Sequence, residues 1–322
     1  MNIDFKKIRI EKIFMNHPTL GIIGVGWVGA QLKRYFEEIL GYKAGKDLML
    51  HDILPERCAG DISKAEIIFL SVPTPRNMKD GSCDLTILND AVAHIAGKKV
   101  IVIRSTVPPG TTQGLQDKYP QHQFLFNPEF LTESQAWEDM LRPDRQIVGF
   151  TSKSIDAALP VLSILPKAPF MSPWGTDTYT RTRISATEAE FIKYAGNVYF
   201  ARKVNWANAL AKAAEKLGAN YDNIRHGMAA DYRIGDSHLN VTHGGYRGWG
   251  GYCFPKDTAA FMAFAKSVGA KEVYDLLMSD WKFNEAILAE QGLTIDDVSK
   301  HIDEVKKILE QKKGKKTVGR KR

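Results

Sequence analysis

Residues 19–39 read TLGIIGVGWVGAQLKRYFEEI, and this stretch decides the fold. A short apolar run leads into the glycine-rich turn GVGWVG, and apolar residues then recur at helical spacing. A strand, a glycine turn and an amphipathic helix in this order are typical of a dinucleotide-binding βαβ unit, whose glycines let the backbone approach a pyrophosphate. The turn residues predicted to bind the cofactor are Gly24, Gly26, Trp27, Val28 and Gly29.

Further strand candidates follow, and helical segments separate them. They are DLMLHD (47–52), AEIIFLSVP (65–73), KKVIVIRSTVPPG (98–110), FLFNPEF (124–130) and RQIVGF (145–150). Strands that alternate with helices imply a parallel sheet whose ligands bind beyond the carboxyl ends of the strands. We therefore predict an α/β fold with a Rossmann-like, doubly wound parallel sheet, followed by an all-helical domain.

Asp52 ends the second predicted strand, 23 residues after Gly29. A carboxylate at this place accepts hydrogen bonds from the adenosine ribose, which favours NAD over NADP. No arginine immediately follows Asp52 to bind a 2′-phosphate. The alternative interpretation is that Asp52 only begins a turn.

From about residue 185 the pattern becomes helical. Residues 185–219 carry apolar and small side chains at helical spacing over more than eight turns, which predicts one long central helix. Ser185 with Glu188 and Thr187 with Glu190 both fit a capping box, so the start of the helix stays open between them. The predicted domains are an N-terminal extension (1–16), an NAD-binding Rossmann-like domain (17–184), a helical central and dimerisation domain (185–290) and a helical, basic tail (291–322).

Composition indicates an ordinary globular protein, with 44% apolar and 25% charged residues. No apolar run approaches the roughly 18 residues of a membrane helix, and residues 1–14 mix acids and bases where a signal peptide would be apolar. A cytoplasmic protein without membrane contact is therefore expected. The net charge of +7 is concentrated in residues 306–322, which hold nine Lys or Arg and one Glu. Nucleic-acid binding would rest on this tail alone and is not expected.

Cys253 stands between a glycine cluster and the start of a predicted helix, in GWGGYCFPKDT (248–258). Pro255 suits the first turn of a helix, and a helix N-terminus beside Lys256 favours the thiolate of Cys253. A buried, inert cysteine is the usual alternative. Neither a disulfide framework nor a metal site is predicted, because the cysteines are odd in number and lack paired spacing: Cys58, Cys83 and Cys253.

Seven short motifs occur in one order along the chain. They are SVPTP (71–75), RSTVPPGTT (104–112), NPEFLTE (127–133), RPDRQIVG (142–149), KYAGN (193–197), DYRIG (231–235) and GGYCFPKD (250–257). In order and rough spacing they resemble the UDP-glucose/GDP-mannose dehydrogenase family, and within it the UDP-glucose 6-dehydrogenases, over about residues 19–285. The resemblance implies an enzyme that uses NAD to oxidise the C6 alcohol of a nucleotide sugar twice, to a uronic acid.

In that family the second oxidation proceeds through a cysteine-bound thiohemiacetal and thioester, which implies Cys253 as the nucleophile. A thiolate suits this chemistry, because an aldehyde has no second hydride to give until a nucleophile adds to its carbonyl. Lys193 and Asn197 lie four residues apart on the predicted helix and match the pair that stabilises the C6 oxyanion. Taken alone, such a pair would be an ordinary solvated helix face.

The resemblance assigns the remaining site residues. It implies Glu129 as the base that activates the hydrolytic water, with Glu133 in support, and Thr106 with Asp257 holding a water. The residues implied in cofactor contact outside the glycine turn are Pro73, Thr74, Thr106 and Lys256. Those implied in substrate contact are Glu133, Lys193, Asn197, Arg233, Arg247 and Gly250, with Arg233 reaching the neighbouring subunit of a homodimer built on the long helix. Without the resemblance, the same residues would be interpreted as surface acids, turn threonines and loop arginines with no role in a site.

Two features depart from the family. Only about a dozen residues separate Asp52 from the strand at 65–73, where the family inserts a longer segment. After about residue 290 the chain is helical and basic, where the family continues into an α/β domain that binds the nucleotide, so we expect a compact enzyme without that domain. The alternatives are a β-hydroxyacid dehydrogenase, which oxidises once and uses no thiol, and a non-catalytic nucleotide-sugar-binding protein.

Overall fold

A computed structural model of the protein describes residues 17–132, 134–173 and 183–319. Among these residues, six strands form one sheet in the order β2-β1-β3-β4-β5-β7. The strands are β1 (Leu20–Ile23), β2 (Leu48–His51), β3 (Ile67–Leu70), β4 (Val100–Ile103), β5 (Gln123–Phe126) and β7 (Gly149–Phe150). β1 to β5 are parallel, and β7 runs antiparallel at the edge beside β5. The predicted Rossmann-like α/β fold is confirmed.

Residues 145–150 differ from the prediction. The sequence predicts one strand that extends the parallel sheet, and this is wrong, because the stretch forms two short strands in two sheets. β6 (Arg145–Ile147) pairs with β8 (Phe170–Ser172) in a separate two-stranded sheet, whereas β7 joins the main sheet. The change of partner occurs at Val148, whose N–H donates to the Ser172 carbonyl at 3.0 Å.

Helices cover both faces of the main sheet, because successive strand residues point to opposite sides. Ile22 and Phe69 contribute to one buried cluster, together with Phe36 of the first helix. Ile23 and Ile68 contribute to the other cluster. The helices of this part of the chain are α1 (Trp27–Glu38), α2 (Thr86–Ala93), α3 (Thr111–Lys118), α4 (Ala136–Leu141) and α5 (Ile155–Ser163).

The second half of the described chain is helical, as predicted. Its helices are α6 (Ala186–Leu217), α7 (Tyr221–Ala229), α8 (Cys253–Ser267), α9 (Lys271–Ala289), α10 (Ile295–Val298) and α11 (Ile302–Gly319). The start of α6 is settled by Ser185 and Glu188: the Ser185 N–H donates to the Glu188 carboxylate at 2.7 Å, and the Glu188 N–H donates to Ser185 Oγ at 3.2 Å. The tail predicted to be helical over 291–322 contains the two helices α10 and α11, with a break after Val298.

The described residues divide into two compact units. The first takes those of Met1–Thr74 and Asp84–Lys193, and the second those of Pro75–Cys83 and Tyr194–Arg322. The predicted N-terminal extension (1–16) lies outside the described residues, and the domain boundaries drawn from sequence stay predictions. Within the described ranges, no helix is both long and apolar enough to cross a bilayer, and no three His, Cys, Asp or Glu side chains are grouped to hold a metal ion.

Candidate active site

The turn between β1 and α1 has the form of a phosphate cradle. Gly24 has a φ of +89°, and a Cβ at this position would lie 2.6 Å from the Ser71 carbonyl oxygen, so only glycine fits. Gly26 faces open space, with nothing within 4 Å of its missing side chain. Asp52 holds the turn from the next strand, because its Oδ2 accepts the Val25 N–H at 2.7 Å. The backbone around Gly26 is therefore open to a bound group.

A cavity of about 650 Å³ lies beside this turn. Gly26, Trp27 and Arg57 are among the residues that line it. Asp52 also begins a turn, since its Oδ1 accepts the Leu54 N–H at 3.0 Å. Arg57, which was not predicted to belong to the site, follows Asp52 by five residues, and its Nη1 donates to the Val25 carbonyl at 3.4 Å. An open glycine turn and the Arg57 cation line this cavity, and Asp52 holds the turn in place, an arrangement that fits a dinucleotide.

The ends of β3 and β4 bring two predicted residues together. Thr74 Oγ1, buried after β3, donates to the Thr106 carbonyl after β4 at 2.8 Å. Ser105 Oγ donates to the Val72 carbonyl at 2.7 Å and joins the same two loops. Pro73, between them, is exposed. The carboxyl edge of the sheet therefore presents Pro73, Thr74 and Thr106 in one place, where a parallel sheet binds its ligands.

Glu129 and Lys193 form a buried ion pair in the first unit. Lys193 Nζ donates to Glu129 Oε1 at 2.9 Å and to the Glu129 carbonyl at 2.7 Å. The two side chains are only 9% and 5% exposed. Glu129 Oε2 accepts the Leu131 N–H at 2.9 Å, so both carboxylate oxygens are engaged. The predicted acid and the predicted lysine thus meet across 64 residues of sequence.

The charges around Glu129 keep it ionised. Burial alone would raise the pKa of Glu129, but the Lys193 ammonium and its hydrogen bond, the Leu131 N–H and the Arg104 charge together hold that pKa below its usual range. Arg104 is itself 4% exposed, and burial lowers its pKa to about 10. No role was predicted for Arg104, although a charged residue at the end of the apolar run KKVIVIR was a visible signal. Glu133, the predicted partner of Glu129, lies outside the described residues.

Glu190, the other capping candidate, serves a different helix. Its carboxylate accepts the Gly110 N–H at 2.6 Å and the Thr112 N–H at 2.7 Å, at the start of α3. Glu190 is fully buried, and burial raises its pKa to about 7 against the opposing effect of these hydrogen bonds. The acid therefore fixes the RSTVPPGTT loop to α6, within the first unit.

In the second unit, Cys253 is the first residue of α8 and its thiol is exposed. Three residues on, Lys256 pairs with Asp257, which is 1% exposed. Asp257 Oδ2 also accepts the Asn197 Nδ2 donor of α6 at 2.6 Å. Three predicted residues are therefore joined by hydrogen bonds: Asn197 of α6, and Lys256 and Asp257 of α8. The two α8 residues lie one helical turn after the thiol.

Electrostatics couples Lys256 to the thiol. Burial alone would lower the pKa of Lys256, but Asp257 and the charges of Cys253 and Cys83 raise it above its usual range. Lys256 therefore stays a cation beside Cys253, which is the setting that a nucleophilic thiolate needs. The exposure of Cys253 excludes the alternative of a buried, inert cysteine.

Comparison with known proteins identifies the family. The profile of the UDP-glucose/GDP-mannose dehydrogenase family, NAD binding domain, matches residues 52–162, and that of the family's central domain matches residues 187–286. The chain belongs to the UDP-glucose/GDP-mannose dehydrogenase family. The matching NAD binding domain indicates NAD as the cofactor of this chain, in agreement with the glycine turn and the Asp52 carboxylate described above.

Individual relatives support this family assignment. The UDP-glucose 6-dehydrogenase TuaD of Bacillus subtilis is 35% identical over 240 residues, which are 69% of this chain and 49% of TuaD. The UDP-glucose 6-dehydrogenase AglM of Haloferax volcanii is 33% identical over 78% of this chain and 66% of its own length. The structure of a UDP-glucose dehydrogenase from Pyrobaculum islandicum matches with a TM-score of 0.71 and 26% identity over 86% of this chain and 70% of that one. The chain spans about half to two thirds of the length of these curated relatives.

Three residues predicted to contact substrate have a structural role within this chain. Arg233, exposed, forms a bidentate pair with Asp231. Arg247 pairs with Glu215. At Gly250 a side chain would lie 2.6 Å from the Val298 carbonyl, so this glycine has a packing role. Contact of the three residues with substrate stays a prediction.

Proposed function

We propose that this chain is an NAD-dependent nucleotide-sugar 6-dehydrogenase that converts UDP-glucose to UDP-glucuronate. The observation that carries the proposal is the exposed Cys253 thiol at the N-terminus of α8, with the Lys256 cation one turn later. A helix N-terminus and a cation both stabilise a thiolate. UDP-glucose is favoured over GDP-mannose because the relatives TuaD and AglM are UDP-glucose 6-dehydrogenases.

The reaction removes four electrons from one carbon in two steps. Each step takes a hydride and a proton from the sugar, and NAD, when bound, accepts the hydride. After the first step, the Cys253 sulfur forms a bond to the aldehyde carbon and gives a thiohemiacetal. Oxidation of that adduct leaves a thioester on Cys253. Water then breaks the carbon–sulfur bond, releases the carboxylic acid and returns the thiol.

The polar residues of the two units have complementary parts in this scheme. Lys193 and Asn197 supply a cation and an amide donor for the oxygen that gains negative charge. Glu129 is held as a carboxylate and suits the base that activates the hydrolytic water. Thr106 and Asp257 are each proposed to bind water, as the family resemblance implies.

A homodimer is part of the proposal. On α6, Tyr199, Trp206 and Leu217 are 61%, 58% and 84% exposed, and their spacing of 7 and 11 residues places them on one side of the helix. Such an exposed apolar stripe suits a second copy of the chain. Arg233 is 74% exposed and is available to reach the neighbouring copy. Sedimentation of the purified chain should give a dimer mass, and a monomer at micromolar concentration would contradict this part.

The experiment counts NADH per substrate molecule. The purified chain is incubated with excess NAD and a limiting amount of UDP-glucose, GDP-mannose or a β-hydroxyacid. We expect two NADH per UDP-glucose and a uronic acid product. One NADH per β-hydroxyacid, with no reaction of either sugar, would favour the β-hydroxyacid dehydrogenase, and no NADH from any substrate would favour a binding protein.

The nucleophile is tested by Cys253→Ala. This variant should lose at least about 10³-fold in acid formation, because the proposed second oxidation acts on the adduct that Cys253 forms. Cys83→Ala is the matched control, since it removes the other thiol whose charge acts on Lys256. The control should keep two NADH per UDP-glucose. Acid formation by Cys253→Ala at the unmodified rate would exclude the thioester route.

A further inference from the structure

The glycine-rich loop that precedes Cys253 is held by hydrogen bonds to a later part of the second unit. We call residues 246–252 the thiol loop and residues 284–304 the brace. The brace comprises the end of α9, all of α10 and the start of α11. Every second residue of the thiol loop, from Arg247 to Gly251, receives a hydrogen bond from the brace or gives one to it.

The first two contacts are made by side-chain amides. The Arg247 N–H donates to Gln291 Oε1 at 2.8 Å, and Gln291 Nε2 donates back to the Arg247 carbonyl at 2.9 Å. The Trp249 N–H donates to Asn284 Oδ1 at 2.8 Å, and Asn284 Nδ2 donates back to the Trp249 carbonyl at 3.1 Å. Each amide thus replaces the peptide group of a neighbouring strand. Asn284 is fully buried, so its bonds do not exchange readily with water.

The third contact is made by backbone. The Gly251 N–H donates to the Val298 carbonyl at 2.8 Å. The chain can come this close because Gly250 has no side chain: a Cβ there would lie 2.6 Å from the Val298 carbonyl and 2.8 Å from Val298 Cβ. This close approach explains why position 250 is a glycine without invoking a ligand. The last pinned residue, Gly251, is two positions before Cys253.

The brace is itself anchored. Leu288, Leu293, Val298 and Val305 form a buried apolar cluster, and Tyr246 of the thiol loop packs against it. Arg76 pairs with Asp296 of α10 at 3.4 Å and lies over the Trp281 ring at 5.6 Å. The brace is therefore held by apolar packing and by an ion pair in addition to its hydrogen bonds with the thiol loop.

We propose that the brace positions Cys253, with Gln291 and Asn284 as positioning residues for the nucleophile. The proposal rests on the proposed function only in that Cys253 is the reacting thiol. A nucleophile must stay within a fraction of an ångström of its attack position, and loss of that alignment costs orders of magnitude in rate. Freeing the thiol loop would also let the first turn of α8 fray, and the thiolate would lose the support of the helix N-terminus.

The test measures Cys253 without any substrate. The full chain is alkylated with iodoacetamide between pH 5 and 10, and mass spectrometry follows the tryptic peptide 248–256, which holds no other cysteine. Gln291→Met removes both amide bonds and keeps the side-chain length. We expect the midpoint of the pH profile to rise by about half a unit. Gln291→Glu keeps the acceptor for the Arg247 N–H, so the midpoint of its pH profile should lie between those of the wild type and Gln291→Met. It also replaces Gln291→Met in the test if that variant does not fold.

The control separates positioning from general stability. Asn220 caps α7 by accepting the Asp222 N–H at 2.8 Å, in the same unit and without contact to the thiol loop. Asn220→Ala should lower the free energy of unfolding and leave the alkylation profile unchanged. An unchanged profile in both Gln291 variants would overturn the proposal.

Turnover gives a second, separate readout. If UDP-glucose is oxidised, Gln291→Met should lower kcat about tenfold with the KM for NAD unchanged. If the alkylation profile shifts in the Gln291 variants but the chain oxidises no sugar, the proposed function is rejected and the positioning role of the brace is supported. If the chain oxidises UDP-glucose but the variants keep normal turnover and an unchanged profile, the positioning role is rejected and the proposed function is supported.

Discussion

Lys193 and Asn197 lie one turn apart on α6, yet the two residues sit in environments of different kinds. Lys193 belongs to a buried ion pair whose members are each less than a tenth exposed. Asn197 is half-buried and gives a neutral amide to Asp257, which Lys256 already neutralises. Lys193 gives Glu129 a full charge and two hydrogen bonds, with the Leu131 N–H and the Arg104 charge in support. Asn197 gives Asp257 a single neutral hydrogen bond beside the Lys256 cation.

This difference separates two tasks in the proposed reaction. The Glu129–Lys193 pair keeps a buried carboxylate ionised, so its charge state is fixed before substrate binds. The chain Asn197–Asp257–Lys256 lies next to an exposed thiol. Lys193 and Asn197 thus place these two groups on successive turns of one helix.

The largest effect is expected from Lys193→Met. Glu129 would remain as a buried charge without its cation, and the free energy of unfolding should fall by about 3–5 kcal/mol. Adding Glu129→Gln should restore about half of the loss, because the uncompensated charge is then gone. Urea denaturation of both variants at pH 7 measures this. A single variant that loses less than about 1 kcal/mol would show that the pair is not isolated from water.

A smaller, pH-dependent effect is expected from Glu190, also on α6. An unfolded glutamate titrates at 4.5 and Glu190 in the folded protein at about 7, so between these values the folded state binds more protons. The contribution of Glu190 to stability therefore falls as pH rises from 4.5 to 7, by on the order of 3 kcal/mol. The difference in unfolding free energy between wild type and Glu190→Gln isolates it from other acids. A difference that is constant with pH would refute this assignment.

The smallest effect is expected from Asn197→Ala. Asp257 keeps its bond to Lys256, so the loss should be about 1–2 kcal/mol, the net value of one hydrogen bond to a charged group. Lys212 is also on α6 and forms an exposed ion pair with Glu290, which follows α9. Lys212→Ala should lower the free energy of unfolding by less than about 1 kcal/mol. If Asn197→Ala destabilised the chain as much as Lys193→Met, the contrast between the two turns of α6 would disappear.

Local pattern allowed much of the fold to be predicted. The alternation of short apolar runs with helical segments gave the parallel strands, because strand and helix periods depend on neighbours in sequence. It failed at residues 145–150, where one apolar run serves two sheets, since the choice of partner strand is not a local property.

The site divides in the same way. The sequence by itself determined the glycine turn after β1, the helix that begins at the thiol and the four-residue spacing of Lys193 and Asn197, because these depend on residues within a few positions of one another. Only the tertiary structure decided that Glu129 meets Lys193, that Glu190 caps α3 and that Gln291 pins Arg247, since each contact joins residues 44 or more apart in sequence. Such contacts form when whole elements pack, and no short stretch of sequence encodes which of them will meet.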